Sequence, residues 1–293
     1  MQKIVPHLWY DQEAGEAAEF YTTLFENSSI DSRVKIYDTP SGTAETITFT
    51  LAGQSFMSIS AGPIFQFTPA VSLQVICSTI EEVDRLWGEL SSGGSILMPL
   101  EAYSFSERYG WTEDKYGLSW QIIYLPDQLI AQKITPALLF TDEQYGKAKE
   151  AMEFYTSVFK NAAIDGFDYY GENDEQNQAG TLQYGAFNLE GQNFVAMDSG
   201  MAHGFTFNEA FSLLVNCDTQ EEIDYYWEKL SFVPEAEECG WLKDKYGLAW
   251  QISPTIMNDM MVTKDSEQLQ RVTQAFLKMK KFDIAELQKA YEG

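Results

Sequence analysis

A chain of 293 residues, of which 45% are hydrophobic and 22% charged, is long enough to bury one large core or two of ordinary size. The 44 acidic residues outnumber the 19 basic ones and give a formal net charge of −25, which repels nucleic acids and anionic membranes. We therefore expect a globular protein with no nucleic acid and no membrane among its partners.

The cellular compartment is indicated by segments that the sequence lacks and by its cysteines. The sequence shows neither an apolar run of about eighteen residues nor the apolar segment of a secretory signal near its start. Its three cysteines, Cys77, Cys217 and Cys239, form no CxxC pair, which argues against a disulfide framework or a structural zinc site. Cys77 and Cys217 have apolar neighbours and are predicted core residues. We expect a cytoplasmic protein with reduced thiols.

The predicted elements follow the same order twice within the first 125 residues. A strand precedes a helix whose apolar residues recur with the spacing of one helix face, and three strands come next, separated by turns that contain glycine. The predicted ranges are 4–9, 14–25, 33–37, 45–51 and 55–60, then 71–77, 80–90, 96–98, 103–105 and 111–123. Each group is one βαβββ module.

The second half of the chain repeats the first. Residues 110–122 read GWTEDKYGLSWQI and residues 240–252 read GWLKDKYGLAWQI, with three differences. Other segments align at offsets from 130 to 140, and about ten residues between Leu90 and Gly110 have no counterpart in the second copy. We predict an α+β fold of four βαβββ modules in two homologous domains, residues 1–125 and 132–255, with a C-terminal helical tail at 256–293.

The repeated motif predicts a turn followed by a strand. Gly117 suits a turn that needs a positive φ, and the alternation after it places Gln121 on the face opposite the helices, with Gln251 in the same position of the second copy. A glutamine on the concave face of a sheet needs hydrogen-bond partners, which the backbone or a ligand can supply.

These features resemble the PhnB-like branch of the vicinal oxygen chelate superfamily, which includes glyoxalases and bleomycin-resistance proteins. The resemblance rests on the paired modules, on KITPALLF at 133–140, on EAMEFYTSVF at 150–159 and on the repeated motif. It implies two glyoxalase-like domains, each a half-open sheet around a cavity, with tandem copies in place of a dimer. Many proteins of this branch carry the name 3-demethylubiquinone-9 3-methyltransferase, but the sequence has no Gly-x-Gly-x-Gly turn for S-adenosylmethionine.

The resemblance also implies a divalent metal, held by His or Glu on the first and fifth strands and by Glu on the last. In this sequence those positions fall on His7 and Ala137, on Ser72 and Ser212, and on Gln121 and Gln251. Serine hydroxyls and amide oxygens are poor ligands for divalent ions, so we expect no metal cofactor. If a metal is bound, His7 and Gln121 are its candidate ligands.

Two groups of residues are candidates for a ligand pocket. The segment present only in the first copy places four aromatic residues around Arg108, which favours a pocket in the first domain. The alternative is an edge hairpin with Arg108 paired to an acidic residue. His7 is either a pocket residue or a half-buried strand histidine bonded to the backbone. The full set of candidates is His7, Trp9, Tyr103, Phe105, Arg108, Tyr109, Trp111, Gln121 and Gln251.

The tail carries apolar residues at helical spacing from Ser266, and Asp283 is the predicted N-cap of a second, shorter helix. Its cluster of lysines, Lys278, Lys280 and Lys281, either docks on acidic faces of the same chain or helps a second chain to bind. A monomer and a homodimer are both open.

Three functions remain open from the sequence. The first is a cytosolic protein that binds a small organic ligand in an aromatic cavity without a metal. The second is a divalent-metal-dependent lyase, isomerase or dioxygenase-type enzyme. The third is a structural or partner-binding pseudo-enzyme.

Overall fold

The computed structural model describes residues 1–126 and 130–293. The strands are β1 (Ile4–Tyr10), β2 (Ser29–Thr39), β3 (Gly42–Leu51), β4 (Gln54–Ser60), β5 (Val71–Cys77), β6 (Ser95–Tyr103), β7 (Ser106–Glu113), β8 (Ser119–Tyr124), β9 (Ile134–Phe140), β10 (Ala162–Tyr169), β11 (Leu182–Leu189), β12 (Gln192–Asp198), β13 (Phe211–Cys217), β14 (Trp241–Lys243) and β15 (Ala249–Pro254). The helices are α1 (Ala14–Leu24), α2 (Ile80–Leu90), α3 (Ala148–Val158), α4 (Gln220–Leu230), α5 (Ile256–Met261), α6 (Ser266–Phe276) and α7 (Ile284–Glu292). No helix within the described ranges has both the length and the apolar character required to span a bilayer.

The chain divides into two compact units. Unit 1 comprises Met1–Gln66 and Asn208–Gly293, and unit 2 comprises Phe67–Phe207. Unit 1 has a sheet of strand order β14-β15-β13-β1-β4-β3-β2, and unit 2 has a sheet of order β10-β11-β12-β9-β5-β8-β7-β6. Both sheets mix parallel and antiparallel neighbours. The predicted α+β class and module order are confirmed.

The compact units differ from the predicted domains at 1–125 and 132–255. In unit 1, β1 pairs antiparallel with β13 and His7 stands opposite Ser212; in unit 2, β5 pairs with β9 and Ser72 stands opposite Ala137. Each unit therefore combines one module from each sequence copy. The physical reason is that homologous modules present equivalent strand edges, so the repeat itself does not specify which two modules share a sheet.

The repeated motif is organised by a buried aspartate. Asp114 accepts hydrogen bonds from the backbone N–H groups two and four residues later, and its other oxygen accepts the indole N–H of Trp120 at 2.8 Å. Asp244 makes the same three bonds, with Trp250 at 2.9 Å. The predicted turn is confirmed, since Gly117 has a φ of 84°. The motif thus fixes the entry of β8 and β15 into their sheets.

The segment present only in the first copy adds one strand to unit 2. Residues 95–103 form β6, which pairs with β7 at the edge of the sheet. At the equivalent place in unit 1 the shorter chain forms a single 3₁₀ turn, Pro234–Ala236. The insertion therefore changes the sheet edge and leaves the repeated core of the module intact.

The tail folds back onto unit 1. The predicted helices are confirmed: α6 begins at Ser266, and Asp283 caps α7 through the N–H of Glu286. Between these helices, the carbonyls of residues 279 and 280 accept the backbone N–H groups of residues 239 and 240 at 2.8 and 2.7 Å. Lys280 pairs with Glu237, and Lys281 pairs with Asp224. Of the two open roles for these lysines, the structure shows contacts with acidic residues of the same chain.

Gly240 tests how the tail is held. It has a φ of 82°, and a Cβ there would lie 2.5 Å from a ring carbon of Phe282, whereas Gly247 has a φ of 88° and no atom within 4 Å of the position that a Cβ would take. Alanine at either site carries the left-handed penalty of about 1 kcal/mol. We expect only Gly240→Ala to displace Phe282 as well, and therefore to lower the melting temperature further and to expose residues 256–293 to limited proteolysis. Equal protease sensitivity in the two variants would contradict this account of tail docking.

Candidate functional site

Unit 1 contains a cavity of about 440 Å³ on the concave face of its sheet. This volume lies within the range of small-molecule pockets, about 300–1,000 Å³. Strand residues such as Val5, His7 and Met57 form one side, and the tail closes the other. The tail residues in the lining are Met257, Asn258, Met261, Val262, Phe276 and Phe282. Most of the wall is therefore aliphatic, aromatic or thioether.

His7 is a buried polar group on this wall without a hydrogen-bond partner. Its side chain is 2% exposed, and its Nδ1 makes no hydrogen bond to any described residue. Its ring meets the ring of Trp241 edge-on, with centroids 5.3 Å apart. Burial lowers the pKa of His7 to about 3, so the imidazole is neutral at pH 7. The prediction of a half-buried histidine bonded to the backbone does not describe it.

Two further side chains on the wall each have one hydrogen-bonding group without a partner in the described part of the chain. Gln251 donates from Nε2 to the hydroxyl of Ser212 at 3.0 Å, and its Oε1 accepts no hydrogen bond from the described part of the chain. The indole N–H of Trp241 likewise has no acceptor among residues 1–126 and 130–293. Together with His7, these groups give the cavity an acceptor, a donor and an imidazole that can serve as either.

Unit 2 has the same framework, but the counterparts of Gln251 and Trp241 have their hydrogen bonds within the chain. Gln121 donates to Ser72 at 2.7 Å and accepts from the hydroxyl of Tyr109 at 3.0 Å. The indole N–H of Trp111 donates to the hydroxyl of Ser119 at 2.7 Å. Burial raises the pKa of Tyr109, which keeps its hydroxyl protonated as a donor. This network closes the concave face around Gln121, which is 3% exposed.

Three substitutions between the copies account for the difference. Oε1 of Gln121 also accepts a hydrogen bond from Nε2 of Gln74 at 3.5 Å, and the residue aligned with Gln74 is Leu214. The motif position of Tyr109 is Cys239 in the second copy, and the position of Ser119 is Ala249. Cysteine is much smaller than tyrosine and does not bond to Gln251, and alanine has no hydroxyl for Trp241. The equivalent sheet of unit 1 therefore leaves an acceptor, Oε1 of Gln251, and a donor, the indole N–H of Trp241, facing the cavity.

The charges around the cavity are few. Among the described residues that line it, Asp31 is the one charged side chain, and it is solvent-exposed and bonded to Ser29 and Thr50. Among the described lining residues there is no lysine or arginine. Burial raises the pKa of the Cys239 thiol to about 11, so this wall residue is also uncharged at pH 7.

Both halves of the chain match one known protein family. A family model described as 3-demethylubiquinone-9 3-methyltransferase matches residues 2–123 and again residues 132–253. The chain belongs to this family. The two matches coincide with the two sequence copies, which confirms the predicted PhnB-like membership and the tandem repeat. No curated protein matches the chain.

Solved structures similar to this family member include single-domain and two-domain proteins. A PhnB protein from Bacillus cereus has 43% identity over 42% of this chain and 100% of its own, with a TM-score of 0.40. A glyoxalase I variant from Zea mays has 9% identity over 88% of this chain and 97% of its own, with a TM-score of 0.54. A Bacillus subtilis protein proposed to be a dioxygenase has 9% identity over 85% of this chain and 84% of its own, with a TM-score of 0.51. The last two show that the tandem glyoxalase-type fold is shared.

The metal that the fold implies does not fit the residues of this family member. The inward positions of unit 1 hold His7, Ser212 and Gln251, and Ser212 is already bonded to Gln251. One imidazole with a hydroxyl and an amide is a weak donor set for a divalent ion. Within the described ranges, no three His, Cys, Asp or Glu side chains are grouped to hold one. Gln121, the other candidate ligand, belongs to unit 2 and not to the unit of His7.

The structure separates the predicted pocket residues into two groups. His7 and Gln251 line the cavity of unit 1. Trp9 lies beside it: its ring centroid is 6.1 Å from that of Trp241, and its indole N–H donates to the carbonyl of Gly62. The remaining candidates lie in unit 2: Tyr103, Phe105, Arg108, Tyr109, Trp111 and Gln121.

The segment around Arg108 forms an edge hairpin, which was the alternative to a pocket. Arg108 pairs with Asp84 at 2.8 Å and also contacts the carbonyl of Leu100. The rings of Tyr103 and Phe105 stack at the sheet edge, the ring of Tyr109 meets both of them edge-on, and Phe105 is 53% exposed. The segment is therefore an edge hairpin with an ion-paired arginine. The cavity of unit 1 is instead lined by the first module of the first copy and the last module of the second.

Sequence reasoning missed Trp241 and the tail residues. Trp241 is the counterpart of Trp111, and the loss of its acceptor could have been found by comparing Ser119 with Ala249 in the aligned motifs. No sequence signal indicated that Met261 and Phe276 face a cavity, because their helical spacing fits any buried surface.

The neutral state of His7 predicts a pH dependence. Its folded pKa of about 3 lies below the unfolded value of about 6.5, so the unfolded chain binds the extra proton and stability falls as the pH drops from about 6.5 toward 3. We expect His7→Ala, which places in unit 1 the residue type that unit 2 has at Ala137, to lose less stability over this range than the wild type. Chemical denaturation of both proteins at pH 7 and pH 4 measures the stability that each loses. The contributions of carboxylates are the same in both proteins and cancel when the two losses are compared. Parallel pH profiles would show that His7 is not held neutral.

The donor set predicts the outcome of metal loading. After incubation with Zn²⁺ or Mn²⁺ and desalting, we expect no stoichiometric ion on the wild type. We expect the double variant Ser212→His with Gln251→Glu to retain zinc, because it adds an imidazole opposite His7 and a carboxylate. Elemental analysis of both proteins is the measurement. A stoichiometric ion on the wild type that disappears in His7→Ala would overturn the conclusion that these residues do not fit a metal.

Proposed function

We propose that this protein binds a small organic molecule in the cavity of unit 1, without a divalent metal. One observation carries the proposal: equivalent polar groups are bonded to one another in unit 2, whereas in unit 1 they face an apolar cavity unpaired. The volume and the mixture of apolar wall and a few polar groups are typical of ligand pockets.

The energetics favour an occupant. Nδ1 of His7 is buried and unpaired, which costs about 1–3 kcal/mol of stability, and a ligand that supplies its partner recovers part of this cost on binding. The apolar wall adds a favourable contribution for each part of the ligand that leaves water. The methionines at positions 57, 257 and 261 adapt their shape to a bound molecule, because thioether chains are flexible and polarizable.

The same groups are poorly suited to acid–base or nucleophilic catalysis. A general base works best when its pKa lies near the ambient pH, and the pKa of His7 is held far below that. The thiol of Cys239 is protonated at pH 7 because burial raises its pKa. Both sheets are mixed, unlike the doubly wound parallel sheet in which a glycine-rich nucleotide turn normally occurs. These features support binding as the function and do not support the methyl transfer in the family description.

Binding can be tested with N-phenyl-1-naphthylamine, an uncharged probe that fluoresces in apolar surroundings. We expect saturable fluorescence with the wild type and a loss of affinity of about tenfold or more in Met57→Trp, which fills the cavity beside His7. Met201→Trp is the matched control, since it places the same side chain at a methionine of unit 2 that is 49% exposed.

Thermal unfolding of both variants verifies that they fold. Equal binding to Met57→Trp and to the wild type would place the probe elsewhere. No saturable binding to the wild type would contradict the proposal and favour the structural or partner-binding alternative.

A further inference from the structure

We infer that the ligand of unit 1 is an uncharged hydroxy-aromatic molecule whose hydroxyl donates to Oε1 of Gln251. This inference rests on the proposed function and adds the chemical class of the ligand. It follows from the hydrogen bonds of the two units, compared position by position, and from the charges of the cavity wall.

Unit 2 shows what the shared framework accommodates. There the acceptor Oε1 of Gln121 receives the phenolic hydroxyl of Tyr109 at 3.0 Å, and Tyr109 is only 4% exposed. In unit 1 the corresponding residue is Cys239, which lines the cavity, and Oε1 of Gln251 has no donor among the described residues. The chain thus replaces a phenol side chain by open space next to the same acceptor.

The other unpaired groups are consistent with a ring that carries oxygen. The indole N–H of Trp241 can donate to the same hydroxyl or to a second oxygen, as Trp111 donates to the hydroxyl of Ser119 in unit 2. The ring edges of Trp241 and the side chains of Phe276 and Phe282 provide the aromatic contacts that a planar ligand prefers. His7 offers one more donor or acceptor at the wall.

The charges of the wall select against anions. A buried carboxylate or phosphate needs a cation or several donors to offset the loss of hydration. Among the described lining residues there is no lysine or arginine, and the neutral imidazole of His7 resists protonation because it is buried. An uncharged hydroxyl carries no such penalty.

Competition with N-phenyl-1-naphthylamine at pH 7 tests the class with three molecules of one shape: 2-naphthol, 2-methoxynaphthalene and 2-naphthoate. We expect 2-naphthol to displace the probe at a concentration about tenfold lower than either of the others, because only it is both uncharged and a hydroxyl donor. Comparable displacement by 2-methoxynaphthalene would overturn the role of the donor, and tighter binding of 2-naphthoate would overturn the selection against anions.

Variants assign the contact to one residue. We expect Gln251→Leu to remove the advantage of 2-naphthol over 2-methoxynaphthalene, and Gln121→Leu, the same change in unit 2, to keep it. If Gln251→Leu does not fold, Gln251→Met provides a second test, because it keeps the length of the side chain without the acceptor and should also remove the advantage of 2-naphthol; a folded Gln251→Met protein that keeps this advantage would contradict the assignment. Failure of the proposed function itself would be seen separately, as the absence of any probe binding to the wild type.

Discussion

The antiparallel pairing of β1 with β13 decides which residues of the chain meet. It places His7 opposite Ser212 and brings Gln251, two strands away, onto the same concave face. The matching pairing of β5 with β9 places Ala137 opposite Ser72 in unit 2. If each copy had closed its own sheet, His7 would share a face with Gln121 and Tyr109, whose hydrogen bonds are already complete. The cavity therefore depends on the exchange of modules between copies.

The two units show how a duplicated framework diverges by a few side chains. Both keep the buried aspartate that organises the motif, Asp114 in one copy and Asp244 in the other, because it holds the backbone of a turn and an indole at once. Around this constant part, Tyr109 and Ser119 complete a network in unit 2, whereas Cys239 and Ala249 leave it open in unit 1. The change therefore alters both the hydrogen-bonding groups that face the cavity and the shape of the concave face.

Local structure was predictable from the sequence, and the arrangement of modules was not. Hydrophobic periodicity, the turn at Gly117 and the cap at Asp283 each act within a few residues, so a single chain displays them. The partner of β1 depends on contacts more than two hundred residues away, between edges that the repeat makes equivalent. For the same reason His7 and Gln251 were predicted as separate candidates, and their meeting in one cavity was not. Arg108 resembled a pocket residue because its pairing with Asp84 is also non-local.

The order of the modules along the chain has a consequence for synthesis on the ribosome. Unit 2 is a continuous stretch, Phe67–Phe207, and all its strands have emerged before unit 1 can be completed. The first 66 residues cannot complete their sheet until β13 has been synthesised, and until then one edge of β1 has no partner strand. Domains generally fold as they emerge, and unpaired strand edges in nascent chains are prone to aggregation. The N-terminal module is thus the part of this protein with the greatest need for protection by chaperones during translation.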